Sequence, residues 1–139
     1  MNILVIDGQG GALGAQLVKE IAASFVGVGL TAIGTNAAAT AAMLKAGAKN
    51  AATGENPAIV AARRADVIIG PIGIVIADSL LGEVTPRMAL AVGQSAAKRI
   101  LIPMNKCDNL VAGITQASTA ALIADAMAKL SAIINAENP

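Results

Sequence analysis

The sequence predicts an α/β protein: a Rossmann-like, doubly wound, mainly parallel sheet of five or six strands with helices on both faces, forming a single domain over residues 1–139. Two observations carry this. Short runs rich in Ile, Val and Leu alternate with stretches of helical spacing, the pattern of a parallel sheet covered on both faces. The first run also leads straight into a glycine cluster and then a helix, the opening of a nucleotide-binding βαβ unit. A chain of 139 residues that is 55% hydrophobic can enclose one sizeable core.

Asn2 to Ile6 reads as a central strand ending at Asp7. From Ala12, the spacing of Leu13, Leu17, Ile21 and Phe25 puts one apolar stripe on a helix and leaves Lys19 and Glu20 off it. Gly29 to Gly34 makes a second strand. Asn36 then caps an Ala-rich helix that stops at Gly47. A short third strand, Asn50 to Thr53, precedes a helix with Asn56 as cap and Pro57 at its first position. Asp66 to Gly70 is the fourth strand, Thr85-Pro86 opens a helix through Val92, and Arg99 to Pro103 is the fifth strand. Leu110 to Ile114 is a candidate sixth strand, and Ser118 starts a C-terminal helix carrying Leu122, Ile123, Met127, Leu130 and Ile134.

Composition removes several functions. There is no His, Trp or Tyr, and only one Phe and one Cys, so His-based triads, His zinc sites and disulfides are absent and no metal site is expected. Ten basic and nine acidic residues leave a net charge of +1, and one aromatic ring offers no base-stacking platform, so nucleic acid is not an expected partner. The mean hydropathy of +0.68 comes with an uncharged run from Ile21 to Leu44, but its glycines, polar residues and alanines read as helix end, strand, turn and helix start instead of a membrane span. No signal-peptide pattern opens the chain, and an unpaired Cys107 suits a cytoplasmic location.

The candidate cofactor-binding residues begin with Asp7, Gly8, Gln9, Gly10, Gly11 and Gly14. A strand-to-helix turn of this kind aims backbone N–H groups and a helix N-terminus at one small volume, which suits a phosphate or pyrophosphate. Strict G-x-G-x-x-G spacing fails at Leu13, whereas G-x-x-G-x-x-G is met by Gly8, Gly11 and Gly14. The acid expected at the end of the second strand is replaced by Thr35 and Asn36, neutral groups that tolerate a phosphate, so NADP or a mononucleotide is as well served as NAD. Gly70, Pro71 and Gly73 form a turn at another strand end, followed by Asp78 and Ser79. Glu55 and Glu83 read as surface or first-turn carboxylates.

Asn105-Lys106-Cys107-Asp108 follows the fifth strand and looks like the N-K-x-D guanine motif of P-loop GTPases, but no G-x-x-x-x-G-K-[ST] accompanies it. Lys106, Cys107, Asp108 and Asp78 are the candidate catalytic residues, with Asn105 a further binding residue.

Taken together, the segments NILVIDGQGGALG, IGTNAAATAAMLKAGA, AATGEN, ADVIIGPIGIVIADSLLGEVTPRMA and LIPMNKC resemble a family of short bacterial proteins described only as a domain of unknown function, from Met1 to about Ile134. The resemblance implies a bacterial, cytoplasmic, Rossmann-like domain and brings no activity with it.

Three readings follow. The chain is a nucleotide- or dinucleotide-binding protein; or a small NAD(P)-dependent oxidoreductase or transferase with the Asn105–Asp108 loop at its active site; or a structural or assembly protein with a vestigial site. The missing Tyr and His place binding ahead of catalysis. The apolar stripe of the C-terminal helix leaves surface for a partner, and a homodimer is expected.

Overall fold

The computed structural model describes residues 1–104, 109–115 and 117–138. Five strands, β1 (Asn2–Asp7), β2 (Gly29–Gly34), β3 (Asn50–Thr53), β4 (Val67–Pro71) and β5 (Lys98–Ile102), form one sheet in the order β3-β2-β1-β4-β5. Every pairing is parallel. Helices α1 (Ala12–Ser24), α2 (Ala37–Ala46), α3 (Glu55–Arg64), α4 (Pro86–Gln94) and α5 (Thr119–Glu137) cover it, with one turn of 3-10 helix at Ile72–Val75. The fold is Rossmann-like α/β.

Strand alternation divides the core in two. Ile3 and Val5 of β1 and Val67 and Ile69 of β4 face Leu17, Met43, Ile123 and Leu130 on α1, α2 and α5. Leu4, Ile6 and Ile68 face Ala58, Met88 and Val92 on α3 and α4. Because both faces are covered, β4 and the stretch of β1 from Ile3 to Ile6 carry no polar residue, and each fully buried Ile or Leu contributes about 1.5–3 kcal/mol over its exposed state.

The strand order reverses at β1. Its chain leaves through α1 toward β2 on one side, whereas β4 is its neighbour on the other, so the connections diverge from the carboxyl edge between β1 and β4. In open α/β sheets, that divergence opens the ligand crevice.

Two expectations change. The sixth strand is absent among the described residues: Leu110 is 96% exposed, Gly113 has φ 81° and the Ile114 N–H bonds back to the Val111 carbonyl, which makes a turn without a strand partner. Helix α3 starts earlier than its Asn-Pro signal implied. Gly54, with φ 103°, is its N-cap because the Gly54 N–H reaches the Gly34 carbonyl at the end of β2, leaving Asn56 inside the first turn. Pro57 remains compatible there, since the first helical N–H groups have no helical acceptor.

Helix α5 is, by length and composition, apolar enough to cross a membrane. Its buried residues Ile123, Ala126 and Leu130 belong to the core on the α1 side of the sheet, and an Asp125–Lys129 ion pair sits at mid-helix. That packing accounts for Ile123, Ala126 and Leu130, while Leu122, Met127, Ile133 and Ile134 stay half-buried.

Candidate functional site

At the carboxyl end of β1, Asp7 is buried and ties the glycine turn to the sheet. Its Oδ1 accepts the Gly8 N–H at 2.8 Å and its Oδ2 accepts the Gly14 N–H at 2.6 Å. Burial raises the carboxyl above its ordinary range by more than the hydrogen bonds from Gly14 and Gly8 lower it, and the nearby Glu83 charge raises it further. Asp7 therefore anchors the first turn of α1 from beneath, with each of its oxygens engaged by a backbone N–H.

The glycines have different tasks. A Cβ at Gly14 would lie 2.7 Å from both the Asp7 Cβ and the Met43 sulfur, so Gly14 lets α1 press on β1 and α2. Gly11, with φ 74°, would bring a Cβ to 2.7 Å from the Ala39 Cα, so it permits the close passage of α1 across α2. Gly8 is crowded by Thr35, Leu80 and Glu83. Gly10 alone of the four meets nothing within 4 Å and is exposed. Gly11 has no side chain to cap α1, so Asp7 takes the Gly14 N–H and the N–H groups of Ala12 and Leu13, in the first turn, have no helical acceptor.

The end of β2 is arranged in the same way. A Cβ at Gly34 would lie 2.2 Å from the Thr40 Oγ1 and 2.5 Å from the Thr40 N–H nitrogen, so no acidic side chain fits at the last position of that strand. Asn36 caps α2 through its Oδ1, which accepts the Ala39 N–H at 2.8 Å, while its Nδ2 donates to the Gln9 carbonyl at 2.8 Å. Capping and a place at the glycine turn are combined in one side chain.

The residue that sequence reasoning missed is Glu83. Read as a surface carboxylate, it instead faces the turn. Its Oε1 accepts from the Gln9 N–H at 3.0 Å, the Thr35 hydroxyl at 2.7 Å and the Asn36 amide. Partial burial pushes this carboxyl up, but the hydrogen bonds from Asn36, Thr35 and Gln9 together outweigh it and hold the group below its ordinary value. No local pattern marks it, because its partners lie 47 to 74 residues away.

The segment that carries Glu83 is built tightly. Asp78, Leu80 and Leu81 have φ of 63°, 54° and 56°, a left-handed conformation costing about 1–2 kcal/mol per non-glycine residue. Buried Leu80 and the buried Ser79 hydroxyl, which donates to the Gly73 carbonyl, offset that strain, and the Asp78 N–H closes the loop on the Val84 carbonyl at 2.7 Å. Asp78 itself is exposed at the foot of the loop. Gly70 and Gly73 serve packing: a Cβ on Gly70 would lie 2.3 Å from the Ile6 carbonyl oxygen, and one on Gly73 would lie 3.0 Å from the Ser79 Oγ. Pro71 is buried at the end of β4. Asn105, Lys106, Cys107 and Asp108 lie outside the described residues, and no metal-binding group of three acidic or Cys side chains occurs among the described ones.

An open cleft of about 460 Å³ lies elsewhere, between α3 and α4, lined by Arg63, Arg87, Leu90 and Ser95. It has a single ion pair at its rim, Arg87–Glu55 at 3.3 Å, and lacks the convergent backbone and amide donors of the glycine turn.

A parallel sheet with reversed strand order and a glycine turn at the reversal defines the Rossmann-like class of α/β domains. Residues 2–135 match the family described as "Domain of unknown function (DUF3842)", and the chain belongs to that family. The resemblance carried by its sequence segments is thereby confirmed. Comparison with curated proteins finds no match. The chain is similar to a dodecameric FMN-dependent Ubix-like decarboxylase from Escherichia coli O157:H7, at 18% identity and a TM-score of 0.46, over 94% of this chain and 75% of that one.

Proposed function

We propose that the protein binds a nucleotide or dinucleotide, with phosphate on the N-terminal end of α1. The observation that carries this is the position of the exposed, unobstructed Gly10 beside the first turn of α1, whose Ala12 and Leu13 N–H groups have no helical acceptor, at the point where the strand order reverses. Backbone N–H groups and the helix dipole favour an anion there, and an absent side chain lets it approach the main chain.

Thermal unfolding in the presence of millimolar ADP, NAD⁺, NADP⁺ or FMN tests the reading. A ligand at a hundred times its Kd adds about 2.7 kcal/mol, which is a rise of several degrees in a chain of this size. Gly10→Asp is expected to leave the unliganded midpoint nearly unchanged, since the new side chain enters open space, while abolishing the rise through charge repulsion. No rise with any member of the panel would exclude the reading and favour the assembly protein.

Self-association is a second property, favoured by α5. Leu122, Met127, Ile133 and Ile134 are only half-buried beside a face of small and polar residues. A homodimer is expected, and light scattering at micromolar concentration should return about twice the 13.7 kDa chain mass. A monomeric mass would remove this part of the proposal.

A further inference from the structure

We infer that Glu83 is the ribose-recognising carboxylate of this site and makes it selective for a nucleotide with free ribose hydroxyls over one carrying a 2′-phosphate. The inference rests on the nucleotide reading above and specifies which ligand that site takes.

In dinucleotide-binding sheets, an acidic residue at the end of the second strand accepts hydrogen bonds from the ribose, while an Arg nearby accommodates a 2′-phosphate. Here α2 closes that position: Gly34 has no room for a side chain against Thr40. The next two residues, Thr35 and Asn36, both donate to Glu83. A carboxylate thus stands beside the end of β2 after all, delivered from the loop after β4 across the crevice. Its third donor, the Gln9 N–H, belongs to the glycine turn, so the carboxylate lies between the phosphate end of the site and the end of β2.

The bonding leaves one oxygen for a ligand. All three hydrogen bonds to Glu83 end on Oε1, and Oε2 makes none among the described residues. A vicinal diol supplies O–H donors to such an oxygen. A 2′-phosphate would instead set two anions together, and the groups holding Glu83 are an amide, a hydroxyl and a backbone N–H, with no Arg or Lys among them. Juxtaposed like charges are strongly unfavourable, so discrimination arises from repulsion as much as from attraction. The inference runs against the expectation from the neutral Thr35-Asn36 pair, that NADP is as well served as NAD, and it does so through a residue far away in the sequence.

The test is calorimetric titration of the unmodified protein with NAD⁺, NADP⁺, ADP and 2′-deoxy-ADP, repeated with Glu83→Gln. NAD⁺ is expected to bind about tenfold or more tightly than NADP⁺, and ADP several-fold more tightly than its deoxy form. Glu83→Gln keeps an oxygen for Thr35 and Gln9 but removes the charge, and should bring NAD⁺ and NADP⁺ to within about threefold of each other. Equal or stronger binding of NADP⁺ by the unmodified protein overturns the inference and leaves the nucleotide reading standing, as does an unchanged preference in a folded Glu83→Gln protein. Failure of all four ligands to bind, with no thermal rise from FMN either, overturns both.

Discussion

Gly11→Ala is expected to destabilise the protein by about 2–4 kcal/mol, from a left-handed backbone that alanine adopts poorly together with overpacking against α2. The Cβ would lie 2.7 Å from the Ala39 Cα and 2.9 Å from its carbonyl oxygen, and neither atom belongs to a side chain that could turn away. Relief requires α1 and α2 to separate, which opens the core around Leu17 and Met43. The thermal midpoint should fall by roughly 10 °C. A change under about 0.5 kcal/mol, the scale of an innocuous surface substitution, would show that the approach of the two helices is not tight in solution. Gly10→Asp is the necessary contrast. One residue away, it alters the ligand side of the turn and leaves the packing side intact, so loss of binding at Gly11 alone would say nothing about phosphate.

Asp7→Ala is expected to cost about 2–4 kcal/mol, because it leaves the N–H groups of Gly8 and Gly14 buried without acceptors, each a loss of about 1–3 kcal/mol, partly offset by removal of a buried charge. Asp7→Asn should be milder, retaining one acceptor and placing an amide N–H₂ against the other donor. Chemical denaturation at neutral pH measures both. The pH dependence carries a second signature. With its folded-state pKa raised above the ordinary 3.8, Asp7 contributes stability that is complete below that value and is lost as pH rises through the raised one. Glu83 acts in the opposite sense: its lowered pKa gives stability present above the ordinary 4.5 and lost as pH falls through the lowered value. Asp7→Asn should therefore remove a decline of stability with rising pH. An identical pH profile in the variant would contradict the assignment of Asp7 as the buried, raised carboxyl.

The glycine turn illustrates how much of the site was legible locally. Strand, turn and helix are contiguous from Asn2 to Ser24, and the apolar run, the glycines and the Leu13–Leu17–Ile21 stripe each act within a few residues of one another. Asn36, Thr85 and Ser118 were likewise readable as caps, because a capping bond spans three residues, and each accepts the expected N–H. Local signals failed where a distant contact outweighed them. The Asn-Pro signal before α3 lost to the hydrogen bond from Gly54 to Gly34, and the apolar Leu110–Ile114 stretch found no strand edge to join.

By itself, then, the sequence determined the alternating strands and helices, the glycine turn, and the lack of His and Tyr, since all of these depend on residue type and short-range spacing. Only the tertiary structure decided which glycine packs and which is open, and that a carboxylate stands beside the end of β2. Those facts depend on the parallel stacking of β2, β1 and β4, which brings Gln9, Thr35, Asn36 and Glu83 together across as many as 74 residues. A side chain's role there is set by what the sheet carries to it, and no short-range pattern records that.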